Sequence, residues 1–400
     1  MCYMNHYSYK NFIPYLYMFL FIGFLAYSPL LFYLLNILSL CFFSSYYANK
    51  YIRWPVVIFT TLSLIVIYAS KNYYDELSSD LDVYYGVYNI VQYDFTTGIH
   101  FFGGGIEVGW PLVYYFFGKI VNLTPIHLAV TNTIFSFLLI FIWFETKIIT
   151  NIKPAERGMV YFFLLLFANF FMLGFLQRQS LTVGIILFAL TAKNNRNFIL
   201  LIILATFFHL SSLLVGITVY LARKLSFSPK KIIILLLSLV VLRILLIPFM
   251  EIAISVISLD VFSHKANTFT SGNFSVSTLR FLLLYLIILP FLINYKDIGL
   301  GNEKYLYNYC VLTSISIIAF VGVPLFADRI FMTGLLIYGL YFYKYFYANN
   351  KILGILFGLF YLYIFVLEKL NLIGGLALND SYWARYPFWN SSIFYYLSRI

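Results

Sequence analysis

The chain has 400 residues, of which 62% are hydrophobic and only 10% are charged. Soluble domains carry about 25% charged residues, so a water-soluble exterior is excluded and lipid is the expected solvent for most of the surface. A net charge of +11 would suit nucleic acid, but the basic residues punctuate the ends of apolar runs. That is the positive-inside signature of membrane topology, and no nucleic-acid partner is expected. Runs such as IIILLLSLVV at 232–241 do not alternate as barrel strands do, so the fold class is all-α and polytopic.

In chain order, the basic clusters predict cytoplasmic loops, and joining them consistently gives crossings near 12–27, 29–43, 54–70, 126–144, 159–176, 179–192, 231–258, 278–294, 305–325, 330–347 and 352–370. That is about eleven, with the N-terminus inside and the C-terminus outside. The whole chain forms one integral membrane domain. Three polar stretches fall outside: an acidic loop at 71–107, a loop at 259–277 and the tail 371–400. Two apolar segments do not fit a simple crossing. Residues 108–121 are expected to be an interfacial helix opened by Trp110-Pro111. Residues 198–222 are flanked by basic clusters at both ends, which predicts a re-entrant hairpin or two short helices meeting near His209. Irregular backbone at that depth is tolerated only where it lines protein or a wet cavity. Cys2, Cys41 and Cys310 are too scattered for a metal or disulfide framework. Gly103-Gly104-Gly105 lacks the strand and lysine of a phosphate loop.

Arg178, in LGFLQRQSLTVGII, interrupts an apolar stretch that is right for a helical hairpin, and lies at or just below the outer surface. An arginine there is a functional candidate by default, and its planar fork of donors suits pyrophosphate; the plainer reading is an arginine snorkelling to headgroups. Gln177 and Gln179 flank it and can hold its orientation. His209, in ATFFHLSSLL, is a candidate proton relay, or a satisfied buried histidine. Asp80 and Asp82, with Tyr84, Tyr85 and Tyr88, form an acidic-aromatic cluster of the kind that binds sugar hydroxyls and faces, and Glu107 precedes Trp110 in the same style. A carboxylate there can act as general base, with Asp82 favoured. Arg280 and Arg329 each open a crossing from the outer side. The topology sends all of these to one face.

Several of these elements, in this order, resemble the EpsG-like and Wzy-type polysaccharide polymerases. The core is Arg178-Gln179 between two apolar helices, the turn Lys193-Asn194-Asn195-Arg196-Asn197, and Phe208-His209-Leu210-Ser211. Around it are Asp80-Leu81-Asp82-Val83-Tyr84, the Gly109-Trp110-Pro111-Leu112-Val113-Tyr114 run after Glu107, Asp328-Arg329 and Tyr386-Pro387-Phe388. The family often has an arginine shortly before the acidic loop, where this chain has only Lys71. The resemblance implies a GT-C-like glycosyltransferase within the membrane. It would transfer a growing glycan from undecaprenyl pyrophosphate to a new lipid-linked repeat unit, making O-antigen, capsule or exopolysaccharide. No cofactor is implied, and the implied partners are the lipid-linked oligosaccharide, membrane lipid, and a chain-length regulator and flippase of the same pathway. Arg178, His209 and Asp82 would be catalytic, and Gln179, Arg280, Arg329, Asp80, Glu107 and Tyr84 would bind substrate. The competing classes are a flippase of lipid-linked oligosaccharide, whose two similar halves are not seen, and an O-antigen ligase or acyltransferase.

Overall fold

The computed structural model describes residues 23–69, 80–168, 177–256, 303–319 and 326–369, and among these every regular element is helical. In chain order the α-helices are α1 (Pro29–Phe42), α2 (Lys50–Ala69), α3 (Asp80–Tyr93), α4 (Phe95–His100), α5 (Gly109–Ile120), α6 (Pro125–Trp143), α7 (Arg157–Phe167), α8 (Gln177–Leu190), α9 (Asn195–Phe208), α10 (Ser212–Lys224), α11 (Pro229–Val256), α12 (Glu303–Ala319), α13 (Phe326–Phe342) and α14 (Lys351–Lys369).

The helix starts follow local chemistry. Ser28 caps α1 by accepting from the Leu31 N–H, with Pro29 in the first turn. Thr124 and Pro125 do the same for α6, and Asn194 accepts from the Asn197 N–H at 2.9 Å to start α9. A capping oxygen satisfies an amide that has no partner in the first turn, and proline lacks one to satisfy. Within the stretch expected to be an acidic loop, 80–100 is instead largely helical, as α3 and α4. Asp94 is used there as a cap: its carboxylate accepts from the Thr96 and Thr97 hydroxyls and the Thr97 N–H, bonds that hold its pKa down to about 2.

The helix with the length and apolarity to cross a bilayer on its own, among the described residues, runs from Pro125 to Asn151. Its last turns widen into a π-helical segment, Phe144–Ile148. Shorter apolar helices include α1 and α9. The helices at 29–42, 50–69, 177–190 and 351–369 fall within a few residues of expected crossings. The expected crossing at 12–27 up to residue 22, the crossing at 278–294, the loop at 259–277 and the tail 371–400 lie outside the described residues.

Two apolar cores result. The larger joins α1, α2, α6, α7, α8, α12 and α13 around Trp143, Tyr161 and Phe163. The smaller is aromatic and packs α3 and α5 through Tyr84, Tyr88, Phe102, Trp110 and Tyr114 onto Leu128 and Leu181. A buried polar ladder ties α6 to α8. Asn132 donates to Gln177 Oε1 at 2.5 Å and to the Tyr114 hydroxyl at 3.2 Å, and Ser136 and Ser180 hydroxyls meet at 2.9 Å. At the opposite end of α8, Arg223 of α10 donates to the carbonyls of Ala189, Leu190 and Ala192. It caps the helix where carbonyls lack amide partners.

The segment 198–222 is two helices, as expected. The α9 helix ends at His209, whose backbone is extended (φ −157°, ψ 119°), and α10 resumes at Ser212. With 14 and 13 residues, each is about 20 Å long, short of the roughly 30 Å hydrocarbon layer.

Candidate functional site

The break at His209 faces the start of α8 and the segment before α5. The triple glycine builds that approach. Gly103, Gly104 and Gly105 all have positive φ, a region that glycine alone enters without a steric penalty. A Cβ on Gly103 would come within 2.9 Å of the Glu107 side chain, so this turn is shaped around Glu107 and is not a loose linker. Two residues on, Gly109 lies so close to α9 that a Cβ there would be 2.8 Å from the Phe208 ring. Trp110 then stacks edge-on against Phe208, with ring centres 5.6 Å apart.

This packing carries Glu107 to the centre of a three-part polar cluster. Its Oε2 accepts from Arg178 Nη1 at 2.6 Å. Its Oε1 accepts from the Leu210 N–H at 2.8 Å and lies 3.1 Å from His209 Nδ1. Glu107 and His209 are buried, at 3% and 6% exposed, while the Arg178 side chain retains 26% exposure. Burial alone would raise the Glu107 pKa. The His209 hydrogen bond, the Arg178 charge and the Leu210 amide outweigh it and hold the pKa at about 2. Glu107 is therefore a permanent anion near neutral pH. An ionised carboxylate can only accept, so His209 Nδ1 carries the hydrogen, and Nε2 is the basic nitrogen of the neutral ring.

Arg178 is also held from below. Its guanidinium carbon lies 4.5 Å from the Phe102 ring centre and 5.7 Å from that of Tyr84, within the range of cation–π attraction. Its Nε is buried without a hydrogen-bond acceptor among the described residues. Gln177 turns into the bundle to Asn132, so it fixes the start of α8 and not the guanidinium. Gln179 is buried on the same helix.

The structure thus brings together Arg178, His209 and Glu107, with Tyr84 beside them. Tyr84 was expected to face sugar; it is only 3% exposed, its ring meeting Phe102 edge-on at 6.0 Å beneath the arginine. Asp82 stands half-buried in the first turn of α3. Asp80 opens that helix and Arg329 lies in the first turn of α13, but their side chains lie outside the described residues, as does Arg280 entirely. Phe102 and Asn132 were not singled out by sequence. Phe102 looks like one of many interfacial aromatics, and Asn132, a lone amide in an apolar helix, was the available signal for a buried polar contact.

The EpsG family model matches residues 56–381. The chain belongs to the EpsG family. Membership makes it a membrane-associated protein of polysaccharide biosynthesis with a polymerase-like function. No curated protein and no solved structure matches it.

Proposed function

We propose that this EpsG-family protein is a polysaccharide polymerase of the bacterial inner membrane. It would be a GT-C-like multi-pass enzyme of about eleven crossings that joins undecaprenyl-pyrophosphate-linked repeat units at the outer face. The observation that carries the reading is a partly exposed guanidinium poised beside a buried histidine at the tip of two short apolar helices. A pyrophosphate leaving group develops negative charge as the sugar departs, and a preorganised cation aimed there stabilises the transition state more than the ground state. The histidine takes the proton of the attacking sugar hydroxyl. Asp82, Asp80, Gln179, Arg280 and Arg329 remain proposed contributors to substrate binding or catalysis, and Tyr84 supports Arg178. Glu107, an anion with both oxygens engaged, is not proposed as the base.

Deletion of the gene followed by gel display of surface glycan tests the reaction. Loss of the ladder with one repeat unit retained on its acceptor is the expected result; loss of every repeat unit would instead indicate a flippase or ligase. Topology is tested in a cysteine-free background. A cysteine at Thr96 should be labelled from outside and one at Lys153 only from the cytoplasm; the reverse would move the whole site to the wrong side.

A further inference from the structure

Glu107 touches both groups that the proposed reaction uses, and it touches them with different oxygens: Oε2 meets Arg178, and Oε1 meets His209 and the Leu210 amide. As long as Arg178 holds Oε2, the carboxylate's charge is shared with a full cation, which weakens its pull on the imidazole proton. The same pairing lowers the guanidinium's attraction for other anions. A pyrophosphate is a stronger competitor than a single carboxylate, because it carries more charge and more acceptor oxygens for the fork. Arg178 keeps the exposure needed to turn toward it, whereas Glu107, wedged against the Gly103 turn and bonded to the Leu210 amide, cannot follow.

We propose that Glu107 is a positioning residue that couples donor binding to base strength, making His209 a better proton acceptor once a pyrophosphate has drawn Arg178 away. The proposal rests on the polymerase reading. In the step itself the acceptor hydroxyl oxygen bonds to the donor's anomeric carbon. The bond from that carbon to the pyrophosphate oxygen breaks, and its electron pair leaves with the pyrophosphate, facing Arg178. The hydroxyl proton passes to His209 Nε2, and the imidazolium so formed faces an undivided Glu107 charge. The order matters chemically: a base strengthened before the donor arrives would favour no productive event. The charged and titratable groups described around His209 are Glu107 from the segment before α5 and Arg178 from α8, with Tyr84 of α3 against the guanidinium.

The experiment is NMR titration of His209 in the full chain in nanodiscs, assigned by His209→Asn, with inorganic pyrophosphate as the probe. Pyrophosphate should raise the His209 midpoint by about one pH unit in the native protein, the scale of gaining an unshared neighbouring charge. In Glu107→Gln only the direct effect of the pyrophosphate charge remains, so the rise should be clearly smaller, while pyrophosphate binds as well as before or better. Glycan transfer by that variant should fall about 10²-fold, with its loss in kcat and not in KM, as for a weakened general base. Should Glu107→Gln not fold, Arg178→Gln gives the second route: His209 should start at the raised midpoint and not respond to pyrophosphate. Binding with equal midpoint shifts in the native and Glu107→Gln proteins, or with none, overturns the coupling and leaves the polymerase reading standing. No pyrophosphate binding by the native protein overturns both.

Discussion

Two arginine–glutamate pairs, near opposite ends of α6, have opposite characters. Arg53 is saturated. Its Nε and Nη2 donate to the two Glu145 oxygens at 2.8 and 2.7 Å, its Nη1 donates to the Tyr47 and Ala48 carbonyls, and Tyr161 adds a third donor to Glu145. Only 2% of its side chain is exposed. Arg178 gives one short bond to Glu107, keeps a buried Nε without an acceptor among the described residues, and remains a quarter exposed. Asn132, the contact of α6 with the Arg178 end, and Glu145 are thirteen residues apart, about 20 Å along the helix. A charge whose every nitrogen is engaged inside the protein has little left to offer a ligand, so it acts as a fastener. A charge left short of partners retains its affinity for an anion from outside.

The sharpest test of that contrast is Arg178→Ala. It should abolish long polymer, with a loss of roughly 10²–10³ in rate, while the amount of inserted protein on an immunoblot stays normal. Near-normal polymer would make Arg178 a second fastener. Arg53→Ala should do the reverse. Removing one partner of a buried pair costs roughly 3–5 kcal/mol, seen as a lower unfolding temperature in detergent, and polymer should fall only in step with protein abundance. Arg178→Lys retains charge but not the fork. Losing about one charge-assisted hydrogen bond, roughly 1.5 kcal/mol, should lower transfer about tenfold in a purified assay. The smallest effect concerns acid. Glu107 has its pKa depressed to about 2, so its stabilising contribution is complete above the unfolded carboxyl range near 4.3 and is lost as pH falls through about 2. The stability gap between native protein and Glu107→Gln should narrow below pH 4; between pH 8 and 5 any change in that gap, like any acid limb in the rate profile near neutrality, belongs to His209 or another group and not to the titration of Glu107.

The comparison also shows what sequence can carry. The break at His209 was legible because basic residues flank 198–222 at both ends, which a single crossing does not fit under the charge rule that lipid imposes. Arg178 and His209 stood out because a polar residue in an apolar run demands a reason. Their meeting did not, since Glu107 lies 71 residues from one and 102 from the other. The Glu107 contacts with Arg178 and His209 are not legible in sequence, because burial is not written in a residue's neighbours. The burial of Tyr84 is hidden in the sequence for the same reason. The acidic stretch was expected to be a loop, yet its carboxylates also serve helix starts, as Asp94 does.

Arg223 gives the far end of this site a consequence of its own. The helices α8 and α10 are near-equal struts, of 14 and 13 residues. Arg223 pins the last turn of one to the last turn of the other, while the Glu107 bridge joins the first turn of α8 to the break just before α10. The gap between cation and imidazole is therefore gauged from the opposite end of the frame, as a ruler is read from its zero. One residue inserted midway along α10 would turn its first half by about 100° relative to Arg223, swinging His209 out of register with Arg178. Such a chain would retain every polar side chain of the site and lose the alignment that makes them a site.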